Sequence, residues 1–122
     1  MNRIVHFEFG SPDADASQSY FEQLFGWSFQ KWEGPMDYRL CTTGEQGTPG
    51  IDGAIMPSQD GQPRTVNVVS VDDLDAAIAK AGELGGQVVV EKMAVQGVGW
   101  VAYAVDPAGI LFGMWKEDPS AA

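Results

Sequence analysis

The sequence predicts an α+β fold in which one βαβββ module occurs twice within a single domain of residues 1–122. Two observations indicate this fold. Runs with the two-residue alternation of strands flank two segments with helical spacing, and their order is the same in both halves. The halves also match without a gap when one is offset by 60 residues. We place the modules at residues 1–57 and 63–116, with a short linker at residues 58–62.

The first module opens with a strand at residues 4–9, where apolar and polar side chains alternate. Such alternation is typical of a strand with one face on a core. His6 and Glu8 share one face of this strand, because strand side chains two residues apart point the same way. Three more strands are predicted after the helix, at residues 27–32, 37–43 and 51–57.

A helix is predicted between the first two strands of this module. Ser11 supplies an N-cap, Pro12 suits the first helical position, and Gly26 is the expected end of the helix. One set of apolar positions has the spacing of a single buried stripe. The members of this stripe are Ala16, Tyr20, Phe21, Leu24 and Phe25.

The second module repeats this pattern. A strand is predicted at residues 65–71, Asp72 is the expected cap of a second helix, and Gly85 with Gly86 ends that helix. The last three strands are predicted at residues 87–92, 98–106 and 110–116. The offset of 60 places six residues of the first module on identical residues of the second. They are Asp13, Asp15, Ala16, Leu24, Gly26 and Gly53, which fall on Asp73, Asp75, Ala76, Leu84, Gly86 and Gly113.

Charge and composition limit the partners of this chain. Seventeen acidic residues against seven basic ones give a formal charge of −10, which repels a phosphate backbone, so nucleic acid is not an expected partner. The single cysteine, Cys41, excludes an internal disulfide and a Cys-rich zinc site, and it suits a reducing cytoplasm. No leader sequence or membrane-length apolar run is found, so we expect a cytoplasmic protein without a membrane partner.

Three segments together resemble a known family. They are residues 4–8 (IVHFE), residues 20–27 (YFEQLFGW) and residues 105–112 (VDPAGILF). They look like the glyoxalase/bleomycin-resistance/extradiol-dioxygenase superfamily, also called vicinal oxygen chelate proteins. The resemblance implies that each module curls into a half-open sheet with its helix outside, and that two modules enclose a cavity. It also implies a homodimer, which would cover exposed sheet edges.

Metal enzymes of this superfamily place their ligands on the first and last strand of each module. Carried onto this sequence, those positions are His6, Gly53, Val66 and Gly113. Only His6 offers a donor, whereas a divalent ion needs about three or four. A shift of one residue would offer Asp52 or Asn67 instead, but on the opposite faces of their strands. We therefore predict no metal and no other cofactor.

His6 and Glu8 are the candidate catalytic pair, because both can touch one ligand and His6 is the only histidine. The alternatives are a structural strand histidine and an acid at an open edge. Five large aromatic side chains on predicted strands are candidate ligand-binding residues, although packing in the core or in a dimer would also explain them. They are Trp32, Tyr38, Trp100, Tyr103 and Trp115.

Three hypotheses of function follow from these features. The first is a glyoxalase/bleomycin-resistance-like protein without the usual metal site, which binds a small aromatic or cationic molecule in its cavity. The second is a metal-independent lyase or isomerase that uses His6 and Glu8. The third is a divergent glyoxalase-type metalloenzyme that borrows ligands from a partner chain. The sequence leaves open whether any reaction is catalysed.

Overall fold

The computed structural model describes all residues 1–122 and contains eight strands and two helices. Their order is the predicted βαβββ arrangement, twice, so the predicted α+β fold class is confirmed. The longer helix has 12 residues, and neither helix is long and apolar enough to span a membrane. The elements are β1 (Arg3–Ser11), α1 (Ala14–Phe25), β2 (Ser28–Lys31), β3 (Arg39–Thr42), β4 (Asp52–Pro57), β5 (Arg64–Ser70), α2 (Leu74–Glu83), β6 (Gln87–Val95), β7 (Gly99–Val105) and β8 (Leu111–Glu117).

The chain forms two compact units. The N-terminal unit comprises His6–Val66, and the C-terminal unit comprises Met1–Val5 with Asn67–Ala122. In the N-terminal unit the strands lie in the order β2-β3-β4-β1, and β1 is parallel to β4. In the C-terminal unit the order is β5-β8-β7-β6, and β5 is parallel to β8. A parallel pair requires a long crossover connection, which the helix and the intervening strands supply in each unit.

The N-cap of helix α1 lies two residues after the predicted one, Ser11. The side chain of Asp13 is the actual cap and accepts a hydrogen bond from the backbone N–H of Ala16 at 3.0 Å. Ser11 instead accepts the N–H of Asp13 at 3.1 Å, and its hydroxyl lies 2.6 Å from that of Ser17. Gly26 ends the helix in the left-handed region with φ 72°, as predicted.

The N-cap of helix α2 lies one residue after the predicted one. Asp73, and not Asp72, accepts the backbone N–H of Ala76 at 3.0 Å. Asp72 lies outside the helix and forms an exposed ion pair with the N-terminal amine at 2.8 Å. Both helices therefore begin at an aspartate, and these two aspartates are 60 residues apart, which agrees with the repeat in the sequence.

The predicted apolar stripe of α1 is wrong for most of its members. Tyr20, Leu24 and Phe25 are 61%, 53% and 58% exposed. Phe21 is the member that packs inward, with its ring 5.4 Å from Phe9 on β1. An apolar stripe broader than the contact between one helix and a curved sheet leaves its outer positions in solvent, and spacing alone does not show which positions those are.

Gly53 and Gly113, which the offset of 60 residues aligns in the sequence, differ in the register of their strands. Gly53 pairs with Phe7, whereas Gly113 pairs with Val68. The residue 60 positions after Phe7 is Asn67, so β8 is shifted by one residue relative to β4. Since strand side chains alternate, this shift puts the two glycines on non-equivalent faces of their sheets. The predicted equivalence of Gly53 and Gly113 is therefore wrong.

Candidate functional site

His6 and Glu8 are joined through a third side chain. The hydroxyl of Tyr38 donates to Oε2 of Glu8 at 2.6 Å and lies 2.7 Å from Nε2 of His6. A phenol has one hydrogen, and here the Glu8 carboxylate accepts it. Nε2 of His6 forms a second hydrogen bond with the Tyr38 oxygen, and the direction of that bond depends on the tautomer of His6.

The environment favours the neutral form of His6. Burial lowers the pKa of His6 below its usual value of 6.5, although the negative charges of Glu8 and Asp52 oppose this effect. The imidazole is therefore uncharged at neutral pH. Glu8 is only 4% exposed, and a carboxylate so buried needs donors such as the Tyr38 hydroxyl.

The backbone of the β2–β3 hairpin positions Tyr38. The carbonyl of Tyr38 accepts the backbone N–H of Trp32 at 2.8 Å, directly beyond the paired ends of the two strands. The rings of Trp32 and Tyr38 meet edge to face, with centroids 6.1 Å apart. A side chain at Gly34 would collide with the Trp32 ring, so this glycine lets the indole fold back over the turn. Of the five predicted aromatic ligand-binding residues, Tyr38 thus contacts both members of the predicted catalytic pair, and Trp32 packs against Tyr38.

Asp52 lies on the face of the sheet that carries His6. The two residues are paired across β1 and β4, and paired strand residues point the same way. The expectation that Asp52 would face the opposite side is therefore wrong, because it assumed that Gly53 pairs with His6. Thr43 donates its backbone N–H to Oδ1 of Asp52 at 2.9 Å, and its hydroxyl donates to the carbonyl oxygen of Ile51 at 2.7 Å.

The chain by itself brings together no group of three or more His, Cys, Asp or Glu side chains that could hold a metal ion. On β5, the residues 60 positions after His6 and Glu8 are Val66 and Val68, which carry no donor. A divalent ion needs about three or four convergent donors.

The other three aromatic candidates lie in the C-terminal unit. Tyr103 and Trp115 share the face of the β7–β8 pair that does not carry the core. Trp100 lies on the opposite face and packs against the core cluster beside α2. Its Nε1 donates to Asp118 at 3.1 Å, and the Lys92 ammonium lies 4.9 Å above its ring. Trp100 and Tyr103 take opposite faces because they are three positions apart along β7, so Trp100 does not share a face with the other two candidates.

Two surface cavities lie beside α1 in the N-terminal unit, with volumes of about 260 and 450 Å³. Neither is lined by His6, Glu8 or Tyr38. The smaller cavity surrounds Arg39, whose guanidinium is held by Asp15 at 2.8 Å and Asp37 at 3.1 Å. These contacts use the donors of Arg39 to fasten β3 to α1, so this cavity offers few free groups to a ligand.

Sequence reasoning missed the bridging role of Tyr38. It identified Tyr38 only as an aromatic surface, 30 residues away from Glu8 in the chain. The two come together because β3 pairs with β4 and β4 with β1, so that Leu40, Ala54 and Glu8 form one row across the sheet. Tyr38 shares the face of Leu40, two residues away. Only the strand register, which the sequence does not display, would have revealed this.

Comparison with known proteins agrees with this fold. A family model for the Glyoxalase/Bleomycin resistance protein/Dioxygenase superfamily matches residues 3–114. The anthracycline biosynthesis protein DnrV of Streptomyces peucetius is 30% identical over 91% of this chain and 46% of its own length. The putative glyoxylase CFP32 of Mycobacterium bovis is 32% identical over 86% of this chain and 40% of its own. The chain thus spans less than half the length of these relatives.

Solved structures share the fold at low sequence identity. Methylmalonyl-CoA epimerase from Mycobacterium tuberculosis superposes with a TM-score of 0.68 at 17% identity, over 95% of this chain and 88% of that one. The Mn(II)-bound glyoxalase from Novosphingobium aromaticivorans gives 0.67 at 19% identity, over 100% of this chain and 42% of that one. The family match over residues 3–114 shows that this chain belongs to the Glyoxalase/Bleomycin resistance protein/Dioxygenase superfamily.

Proposed function

We propose that this chain binds a small planar molecule, cationic or aromatic, on the sheet face that carries His6, Glu8 and Tyr38, without a metal ion held by the protein. The observation that carries the proposal is the hydrogen-bonded row from His6 through Tyr38 to Glu8. The face that carries this row also presents the rings of Trp32 and Tyr38.

The chemistry of this face favours a ligand with positive charge or N–H donors. Glu8 and Asp52 contribute carboxylates, and Nδ1 of the neutral His6 is a further acceptor. A cation over an aromatic ring gains about 0.5–2 kcal/mol, depending on desolvation. One relative is named for the biosynthesis of anthracyclines, which are planar aromatic compounds, and this supports a planar ligand.

A ligand screen by thermal shift tests the proposal. Planar amidinium, quaternary ammonium and neutral aromatic compounds are added to protein treated with EDTA, and again with Zn²⁺, Ni²⁺ or Mn²⁺ present. A compound that binds the folded state raises the melting temperature, and we expect such a rise without added metal. If no compound raises it, or if the rise appears only with metal, the proposal fails.

A matched pair of variants locates the binding. Glu8→Gln removes the carboxylate charge, and a charge-assisted hydrogen bond is worth about 1.5–3 kcal/mol, so Kd should rise about 10- to 100-fold. Glu22→Gln removes the same charge from the exposed surface of α1 and should leave Kd unchanged. Equal effects of both changes would indicate a general charge effect and not this site.

A second candidate function is a metal-independent lyase or isomerase in which His6 takes a proton from the ligand. The observation that favours it is the neutral ring whose Nδ1 makes no hydrogen bond within the chain. Incubating bound compounds in D2O and following their C–H signals by NMR tests this function. Catalysed exchange that disappears in His6→Gln would support the enzyme, whereas exchange at the uncatalysed rate would contradict it.

The assembly and location of the protein are part of the proposal. We propose a cytoplasmic homodimer that does not bind nucleic acid. The buried single cysteine and the formal charge of −10 support the location and the exclusion of nucleic acid. Exposed apolar side chains on α1, such as Leu24 at 53%, support an oligomer. Light scattering that gives the mass of a single 13.1 kDa chain at micromolar concentration would contradict the dimer.

A further inference from the structure

We infer that Tyr38 is a positioning residue that holds the proton of His6 on Nε2, so that Nδ1 faces the ligand as the acceptor. The inference rests on the proposed function for its purpose, since it assumes that a ligand meets this face. Its central claim, the tautomer of His6, concerns the free protein and is measured without any ligand.

The direction of the two hydrogen bonds carries the inference. Tyr38 gives its single proton to Glu8 at 2.6 Å, so its oxygen can only accept from His6, at 2.7 Å. The reverse direction would require a proton on Glu8, which would then donate to Tyr38. The tautomer of His6 thus reports the direction of the whole row, because the reversed row would place the imidazole proton on Nδ1.

The Tyr38 hydroxyl is held in place from several sides. Its backbone carbonyl is bonded to Trp32, its ring lies edge to face against the indole, and its partner Glu8 is 4% exposed. A side chain fixed at both its backbone and its hydroxyl keeps one rotamer, and a histidine bonded to it keeps one ring orientation. Tyr38 therefore acts on a ligand through His6.

The tautomer determines which ligand group His6 recognises. An unprotonated Nδ1 accepts a hydrogen bond from an ammonium, amidinium or hydroxyl group. It cannot donate to a carbonyl or carboxylate oxygen of the ligand. With Glu8 and Asp52 on the same sheet face, the site is rich in acceptors, and we expect it to select ligands by their donors.

NMR of 15N-labelled protein tests the inference directly, because the chain has one histidine and its two ring nitrogens give unambiguous signals. At neutral pH we expect Nε2 to show the shift of a protonated nitrogen with a slowly exchanging hydrogen, and Nδ1 that of an unprotonated one. A proton on Nδ1 in the unmodified protein would overturn the inference, and this result needs no variant.

Two variants show whether Tyr38 is responsible. In Tyr38→Phe the hydroxyl is lost, and we expect the ring signals to move toward the average of the two tautomers and the slowly exchanging hydrogen to disappear. Tyr20→Phe removes a hydroxyl from a side chain that is 61% exposed and should leave the His6 signals unchanged. Signals in Tyr38→Phe identical to those of the unmodified protein would overturn the inference.

Titration with benzamidine separates this inference from the proposed function. If both hold, benzamidine shifts the Nδ1 signal of the unmodified protein, and Tyr38→Phe weakens its binding about tenfold. If the tautomer is as expected but neither benzamidine nor any compound of the screen binds, the proposed function fails while the role of Tyr38 in fixing the tautomer stands. If the compounds bind but Nδ1 carries the proton, the role of Tyr38 fails while binding stands.

Discussion

Replacing Gly53 with alanine should destabilise the protein, although the change adds only a methyl group. Gly53 on β4 is buried and pairs with Phe7 on β1. A Cβ at this position would collide with the backbone carbonyl oxygen of Phe7 and lie 2.5 Å from Cγ of its ring. Because a carbonyl oxygen in a sheet cannot rotate away, β1 and β4 would have to separate locally.

The size of the effect follows from the costs of overpacking. Extra methyl or methylene groups in a well-packed core typically cost about 1–3 kcal/mol. For 122 residues, the average entropy of unfolding converts each kcal/mol into about 4 °C of melting temperature. We therefore expect Gly53→Ala to melt about 4–12 °C lower, as followed by circular dichroism.

Two other glycines serve as controls. A Cβ at Gly82 on α2 would meet nothing within 4 Å, so Gly82→Ala should raise stability by about 0.4–1 kcal/mol through helix propensity. A Cβ at Gly113 would lie 3.1 Å from side-chain atoms of Tyr103 and Val68, which can adjust, so its effect should be smaller than that at Gly53. A Gly53→Ala variant as stable as the unmodified protein would refute the strand register described above.

Three further predictions concern single side chains. Because burial lowers the pKa of His6, the unfolded chain binds more protons than the folded one just below pH 6.5. The free energy of unfolding should therefore fall as the pH drops from about 6.5 toward 5, and in urea unfolding this fall should be shallower for His6→Gln. An equal fall in both proteins would contradict this explanation. Burial, and to a smaller extent the charge of Asp52, raises the pKa of the Cys41 thiol to about 11. Only ~0.1% of the thiol is then thiolate at pH 8, so a disulfide reagent should react with Cys41 only as the protein unfolds. Rapid reaction of the folded protein would contradict this prediction. Asp13→Ala should cost about 0.5–2 kcal/mol in urea unfolding by removing the cap of α1, and no loss would indicate that Ser11 replaces it.

The sequence alone determined the order of the elements and their repetition. Strand alternation, helical spacing and terminal residues such as Gly26 are local signals, since each depends on the conformation of a few neighbouring residues. The caps were predicted only to within two residues. Ser11, Asp13 and Asp72, Asp73 all suit an N-cap, and the hydrogen bond that decides between them forms only with the folded helix.

Only the tertiary structure decided which face each strand residue takes. A shift of one residue in register reverses every side chain of a strand, and the sequence contains no direct record of pairing between distant strands. For this reason Asp52 lies on the same sheet face as His6, and Trp100 packs against the core cluster and not on the face of Tyr103. The same pairing brings Tyr38 between His6 and Glu8, and the candidate site is therefore a product of register that local pattern could not supply.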